Sequence, residues 1–285
     1  MNTIASAVIL VTVLVGVAIS GQIVFRLFVK EDSLVEHHGP AEAMLGVVGT
    51  LYSVLLGFLV AGAMEKYAEA KMHTEMEANG VANIFRLARG LEQEDRLRLR
   101  NLCRDYSNEV VTIEWPIMES RGKINHNWQA YQKLWEAVVS VNPLNERQIN
   151  LHAAVVQAME DVGMNRRTRI LIAKTGPSTT LWIVLGIGAF ITIGFTFVFS
   201  SKWAAIQALM TSLVAATLGL NMWLLAVYST PFSGDLKINP DMFELLKENV
   251  FNTPDTPARY IHDDPLPASL TAPGKPSKQA TPQKI

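Results

Sequence analysis

The chain has 285 residues, is 49% hydrophobic and 18% charged, and carries a formal net charge of -1. Soluble domains usually carry about 25% charged residues, so charge has been withheld from part of this chain, and near-neutrality argues against a nucleic-acid partner, which calls for a basic excess. The single cysteine, Cys103, excludes an intrachain disulfide and suits a reducing compartment.

Acidic and basic residues are absent from residues 1–25, 43–64, 175–201 and 203–234. Each window is long enough to cross a bilayer, because a transmembrane helix needs about 20 apolar residues at about 1.5 Å of rise each. Four spans are predicted, Ile4 to Phe25, Met44 to Met64, Leu181 to Phe199 and Trp203 to Tyr228, the last two joined by a tight "SSKW" corner. The first is not read as a signal peptide, since "MNTIASAV" lacks the basic start and the apolar run exceeds an ordinary signal core. Four spans put both termini and the segment between the second and third spans on one side. Lys66, Lys71, Arg166, Arg167, Arg169, Lys174 and Lys237 flank the membrane there, against Arg26, Lys30 and Lys202 opposite, so that side is expected to be cytoplasmic.

The second span passes without a proline or turn signal into "KYAEAKMHTEMEANGVANIFRLARGL", with Gly90 expected to cap the helix. A further helix, "EDRLRLRNLCRDYSNEVVTIEW", spaces Leu97, Leu99, Leu102, Tyr106 and Val110 near the helical period and is expected to stop at Pro116. Another, "NWQAYQKLWEAVVSV", presents Trp128, Tyr131, Leu134, Trp135 and Val138 as a core face, and a fourth runs from about Asn145 to Lys174. No strand or hairpin signal interrupts the pattern. The expected fold class is an all-α membrane protein. Its parts are spans one and two in 1–64, a helical cytoplasmic domain in 65–177, spans three and four in 178–230, a turn and short helix in 231–251, and a disordered proline-rich tail in 252–285. Neither pair of spans repeats the other in inverted order, which weakens a transporter reading.

Gly46, Thr50, Val54, Phe58 and Gly62 recur every four residues along the second span and so form one slowly turning stripe, with Leu51, Leu55 and Leu59 as a bulkier stripe beside it. Spacing alone favours helix packing, since small residues let membrane helices approach. Placed around an axis by several subunits, the same stripe makes a narrow apolar constriction of the kind that gates ions by dewetting.

"GTLYSVLLGF", "EWPIM", "TIGFTFVF" and "PFSGDL", in this order, resemble the bacterial bestrophin-like family, and "LLGFLVAGAMEKYAEA" is similar to the second transmembrane helix of bestrophins. The resemblance covers about residues 1–250. It implies a homopentamer in the bacterial cytoplasmic (inner) membrane, both termini cytoplasmic, with lipid and small inorganic ions as its other partners and a central pore that conducts anions or, in some bacterial members, cations. With Gly57 and Phe58 on the family's Gly-Phe pair, the pore neck falls on Thr50, Val54 and Phe58, the residues of the stripe, and the turn after the last span falls on Pro231, Phe232, Gly234 and Asp235. The expected function is therefore an anion-conducting channel with an apolar neck. Its competitor is a membrane-anchored scaffold that recruits a partner through the helical domain and tail without conducting.

The chain departs from the family at two places. Animal bestrophins bind calcium through a dense acidic run after the turn, whereas only Asp235, Asp241 and Glu244 are present here, too widely spaced for the six to eight oxygens the ion takes. Thr50 and Val54 are smaller than the usual neck residues, which leaves charge selectivity open. Glu36, His37, His38 and Glu42 cluster in "EHHGPAE", but their spacing matches no zinc pattern and they are expected to be solvated. Asn221 is read either as lining a pathway or as bonding between helices, and Arg166, Arg167 and Arg169 as a solvated face. No hydrolase, zinc-protease or phosphate-loop motif is present, so neither enzyme activity nor a cofactor is expected.

Overall fold

The computed structural model describes residues 3–28, 38–121, 129–198, 203–234 and 236–255. These residues are all-helical, without strands, and contain four helices apolar and long enough to cross a membrane. Helix α1 is Thr3–Phe28 and α2 is His38–Leu87. The extramembrane helices are α3 (Gln93–Glu109), α4 (Trp115–Glu119), α5 (Gln129–Val139) and α6 (Glu146–Lys174). The chain returns through α7 (Thr179–Val198) and α8 (Ala204–Tyr228) and ends in the short α9 (Asp241–Leu245). Of the Ser-Ser-Lys-Trp corner only Trp203 is described, and Glu36, His37 and Trp128 also lie outside the described residues.

The apolar helices show what surrounds them. Ile4, Val8, Val13, Val17 and Leu27 of α1 are exposed round most of its circumference, an arrangement stable in lipid and not in water. Side-chain hydroxyls inside these helices turn back to their own backbone. Ser20 donates to Gly16 O at 2.7 Å, Thr192 to Gly188 O at 2.8 Å and Ser212 to Ala208 O at 2.7 Å, which satisfies them where no water is available. One hydroxyl pair, Thr196 and Thr211 at 3.1 Å, links α7 to α8. Helix α1 packs on α8, and α2 packs on both α7 and α8.

Helix α2 runs unbroken for 50 residues, about 75 Å at the α-helical rise. Its first half belongs with the apolar helices. In its second half Ala70, Thr74, Glu77, Ala78, Val81, Phe85 and Ala88 are buried, a spacing of three and four that places them on one face. Helix α6 lies antiparallel along that face. His73 meets Asn165 at 2.7 Å, and a Cβ built on Gly80 stands 2.7 Å from Val162 Cγ2, so the absence of a side chain at Gly80 sets how closely the two helices approach. Contrary to expectation, Gly90 does not cap α2 itself. It closes a 3-10 turn over Ala88–Gly90 against Leu151.

Pro116 does not end its helix either. A π-helical turn over Val110–Glu114 precedes it, closed by the bond from Trp115 N to Val110 O, and α4 continues with the proline in its first turn. The wider turn carries the helix past a residue that has no N–H and would otherwise press on the carbonyl four residues back. Of the predicted core positions, Leu99, Tyr106, Val110, Leu134 and Val138 are buried, whereas Leu97 is exposed. Residues 252–255 are held on α3, where Arg96 Nε donates to Asp255 at 3.1 Å, Arg100 to Asp255 at 2.9 Å and to Thr253 O at 2.7 Å, and Arg104 to Phe251 O at 2.8 Å.

Candidate functional site

Tyr52, Leu56 and Ala63 turn α2 toward its own chain. All three are buried with Leu185 and Ala189 of α7 and Leu218 and Leu225 of α8, and the Tyr52 hydroxyl donates to Leu185 O at 2.6 Å. Gly188 leaves the space that the Tyr52 ring occupies. At 100° per residue, a position two along lies on the far side of the helix, so this anchorage fixes where the stripe points. Thr50, Val54 and Phe58 face away from the chain's other helices, with Val54 51% and Phe58 74% exposed. A Cβ built on Gly46 or Gly62 meets nothing within 4 Å. The stripe is therefore not packed against another helix of the same chain. The Thr50 hydroxyl donates to Gly46 O at 2.6 Å, which spends its proton inside the helix. Leu51 and Leu55 are exposed beside the stripe, and Leu59 turns partly into the α7 and α8 contact.

Where α2 leaves the apolar region, a buried cluster of ion pairs holds it. Arg169 is 0% exposed, and its guanidinium donates to both oxygens of Glu77, at 2.6 and 2.9 Å, and to Glu114 Oε2 at 2.7 Å. Arg166 pairs with Glu114 Oε1, and the Tyr106 hydroxyl donates to Glu77 Oε1 at 2.6 Å. Arg169 also stands 5.4 Å from the centre of the Trp115 ring. The solvated face expected at Arg166, Arg167 and Arg169 is thus corrected for Arg166 and Arg169, whereas Arg167 is exposed. Residues 166 and 169, three apart on α6, enter the core, and Arg167, on the neighbouring face, bonds its own Gly163 O at 3.3 Å. Carboxylates and guanidiniums this deep are stable only as mutual partners.

Burial pushes the Glu114 carboxyl up, but the Arg169 and Arg166 guanidiniums beside it outweigh that and hold it below its ordinary value. A depressed carboxyl pKa means that folding favours the anion, so this contribution is complete above the ordinary value near 4.5 and is lost as pH falls through the lowered one. Thermal unfolding followed by tryptophan fluorescence is expected to be insensitive to Glu114 ionisation between about pH 5 and 7 and to weaken below about pH 4. Glu114→Gln is expected to remove that part of the acid dependence while lowering stability at neutral pH.

The turn after α8 closes onto the same region. Phe232, 2% exposed, meets the Trp115 ring edge-on at 5.6 Å, and Trp115 Nε1 donates to Ile238 O at 3.1 Å. Gly234 has φ of 94°, a conformation that a side chain opposes, and Ile238 N bonds Pro231 O at 2.7 Å to close the loop. Two of the motifs that carried the resemblance, "EWPIM" and "PFSGDL", therefore meet at one aromatic contact. Pro231, Phe232 and Gly234 lie together in this turn, while Asp235 lies outside the described residues.

The model of the Bestrophin-like domain matches residues 12–243. The chain belongs to the Bestrophin-like family. None of the curated proteins is similar enough in sequence to match it. Solved structures show the same fold at low identity. A single-substitution variant of a bacterial bestrophin homologue from Klebsiella pneumoniae superposes with a TM-score of 0.65 at 10% identity, covering 85% of this chain and 98% of that one. A second variant gives 0.65 at 10% identity over 86% and 99%, and a third gives 0.63 at 11% over 88% and 98%.

Within this bestrophin-like fold, Asn221 Nδ2 donates to Thr217 O of its own helix at 2.9 Å. Asp241 and Glu244 are both exposed in α9. Sequence reasoning missed the ion-pair cluster, although one signal was present. Glu77 falls on the buried face with Ala70, Thr74, Ala78 and Val81, and Arg166 and Arg169 fall with Val162 and Ile170, positions that an amphipathic helix reserves for its core.

Proposed function

We propose that this bestrophin-like membrane protein is an ion channel. Copies of the chain assemble as a ring, a pentamer by resemblance to bestrophins, and conduct small anions through an apolar neck lined by Thr50, Val54 and Phe58. The reading places the ring in the bacterial inner membrane with the extramembrane helices and both termini in the cytoplasm, following the distribution of Lys and Arg.

One observation carries it. Thr50 and Val54 lie on the side of α2 opposite Tyr52 and Leu56, free of the chain's own helices, so only another copy, lipid or a shared axis can face them, and Phe58, 74% exposed, follows at the edge of a cavity shared with Leu181 and Leu225. Symmetric closure of identical subunits sets one such face from each around an axis. A ring of Val and Phe side chains there is narrow and poorly wetted, and that is a barrier to ions which dilation removes.

Flux of halide from liposomes tests the reading. The natural protein is compared with Val54→Ala and Phe58→Ala, each of which widens the constriction and is expected to raise resting leak by about tenfold or to change the selectivity among anions. Unchanged flux in both variants sinks the neck assignment. A protein that is electrically silent in every condition, and whose cellular role disappears on deletion of 256–285, is an anchored scaffold.

A further inference from the structure

Where α6 gives way to α7 and α8 ends, the chain encloses a cavity of about 720 Å³. Its walls have two characters. Met118, Ile172, Trp182, Ala226 and Phe232 make an apolar side, and a smaller cavity of about 320 Å³ that shares the Thr175–Pro177 loop continues past Leu59, Leu181 and Leu225 of the apolar helices and is bordered by Phe58 at the edge of the α2 stripe. The other side is polar and cationic, with Arg121, Lys174, Thr175, Ser229, Thr230 and Ser233 on the larger cavity and Lys66 on the smaller. No carboxylate lines either cavity among the described residues, and there neither Arg121 nor Lys174 has a carboxylate partner. By contrast, nearby Lys237 is neutralised by Glu119 at 2.7 Å.

Arg121 adds an independent observation. Its φ is 54°, and among the described residues it is the one residue other than glycine with positive φ. Its Nε donates to Ser233 Oγ at 2.9 Å, which orients the guanidinium on the cavity wall and leaves its two terminal nitrogens without a partner among the described residues. An arginine held in an unfavourable backbone conformation, with most of its donors unspent, is placed to meet an anion.

We infer that this cavity binds the headgroup of an anionic phospholipid, with the phosphate on Arg121 and Lys174 and an acyl chain along Trp182, Ala226 and the smaller cavity. A free phosphate supplies the same oxygens, but the chemistry of the walls selects the lipid. The cationic rim sits where apolar helices meet the extramembrane helices, beside an indole of the kind that settles at the headgroup level, and the apolar wall continues into the membrane-spanning part, where an inorganic anion gains nothing. The site does not depend on the chain being a channel.

Native mass spectrometry of the full-length protein, in detergent with equal amounts of phosphatidylglycerol and phosphatidylcholine of the same chain length, tests this. The natural protein is expected to retain phosphatidylglycerol about tenfold better than phosphatidylcholine, and Arg121→Gln with Lys174→Gln to abolish that preference. Lys174 is exposed at the end of α6, so Lys174→Gln alone keeps the fold and is expected to reduce the preference partially. Millimolar inorganic phosphate is expected to leave retention unchanged. Equal retention of the two lipids, or retention insensitive to Lys174→Gln and to the double variant, overturns the site. Displacement of the lipid by inorganic phosphate, with thermal protection by phosphate alone, overturns it in favour of a soluble-anion site.

Discussion

Arg169→Leu is expected to cost about 3–5 kcal/mol and to loosen the extramembrane helices from α2. The variant removes the group that bonds both Glu77 and Glu114, at 2.6 to 2.9 Å, and leaves the two buried carboxylates with Arg166 as their remaining cation. Leucine fills part of the volume, so the loss is dominated by uncompensated charge rather than by a cavity. Trp115, whose ring centre lies 5.4 Å from the guanidinium, reports the event through its fluorescence, and a fall in the unfolding midpoint is the expected reading. Adding Glu77→Gln to Arg169→Leu is expected to recover a large part of the stability, because the neutral amide leaves no charge stranded while Glu114 keeps its pairing with Arg166. A single variant as stable as the natural protein, or a double variant less stable than the single one, contradicts this account of the cluster.

Val54→Glu is expected to change what the protein conducts. If Val54 lines a shared axis, the substitution adds one carboxylate per subunit at the narrowest apolar part of the pathway, and rings of acidic side chains favour cations. Like charges only a few ångströms from a passing anion raise its energy by several kcal/mol even at the moderate dielectric of a partly wetted site, so halide efflux is expected to fall by at least about tenfold while cation flux rises. If the same side chain faced acyl tails, the carboxylate would instead cost about 2.5–3.5 kcal/mol of insertion energy and the yield of assembled protein would drop. Flux, reversal potential and the amount of assembled particle, measured together, separate these outcomes. Assembled protein with unaltered anion flux excludes position 54 from the pathway.

What could be read from the residues beforehand follows from range. The four apolar helices were legible because each is a local property, some 20 neighbours without charge. The stripe of Gly46, Thr50, Val54, Phe58 and Gly62 was legible because helical spacing is local too, and its outward placement then followed from Tyr52 and Leu56. The bond between Arg169 and Glu77 spans 92 residues of sequence and that between Arg166 and Glu114 spans 52. A run such as Arg166, Arg167 and Arg169 therefore read as surface until its partners were in place. Pro116 misled for a related reason. Proline predicts the end of an α-helix, and the π turn that admits it comes just before Trp115, which packs on Phe232 and Phe243 more than a hundred residues away, a contact that no local rule contains.

The length of α2 has a mechanical consequence. With no proline beyond its first turn and no break between His38 and Leu87, the helix acts as a torsion shaft without a swivel, gripped at one end by Arg169 through Glu77 and at the other by Tyr52 through Leu185. A twist applied outside the bilayer has no kink in the helix to absorb it and arrives at the bond between Tyr52 and Leu185, the contact that sets the aim of Val54.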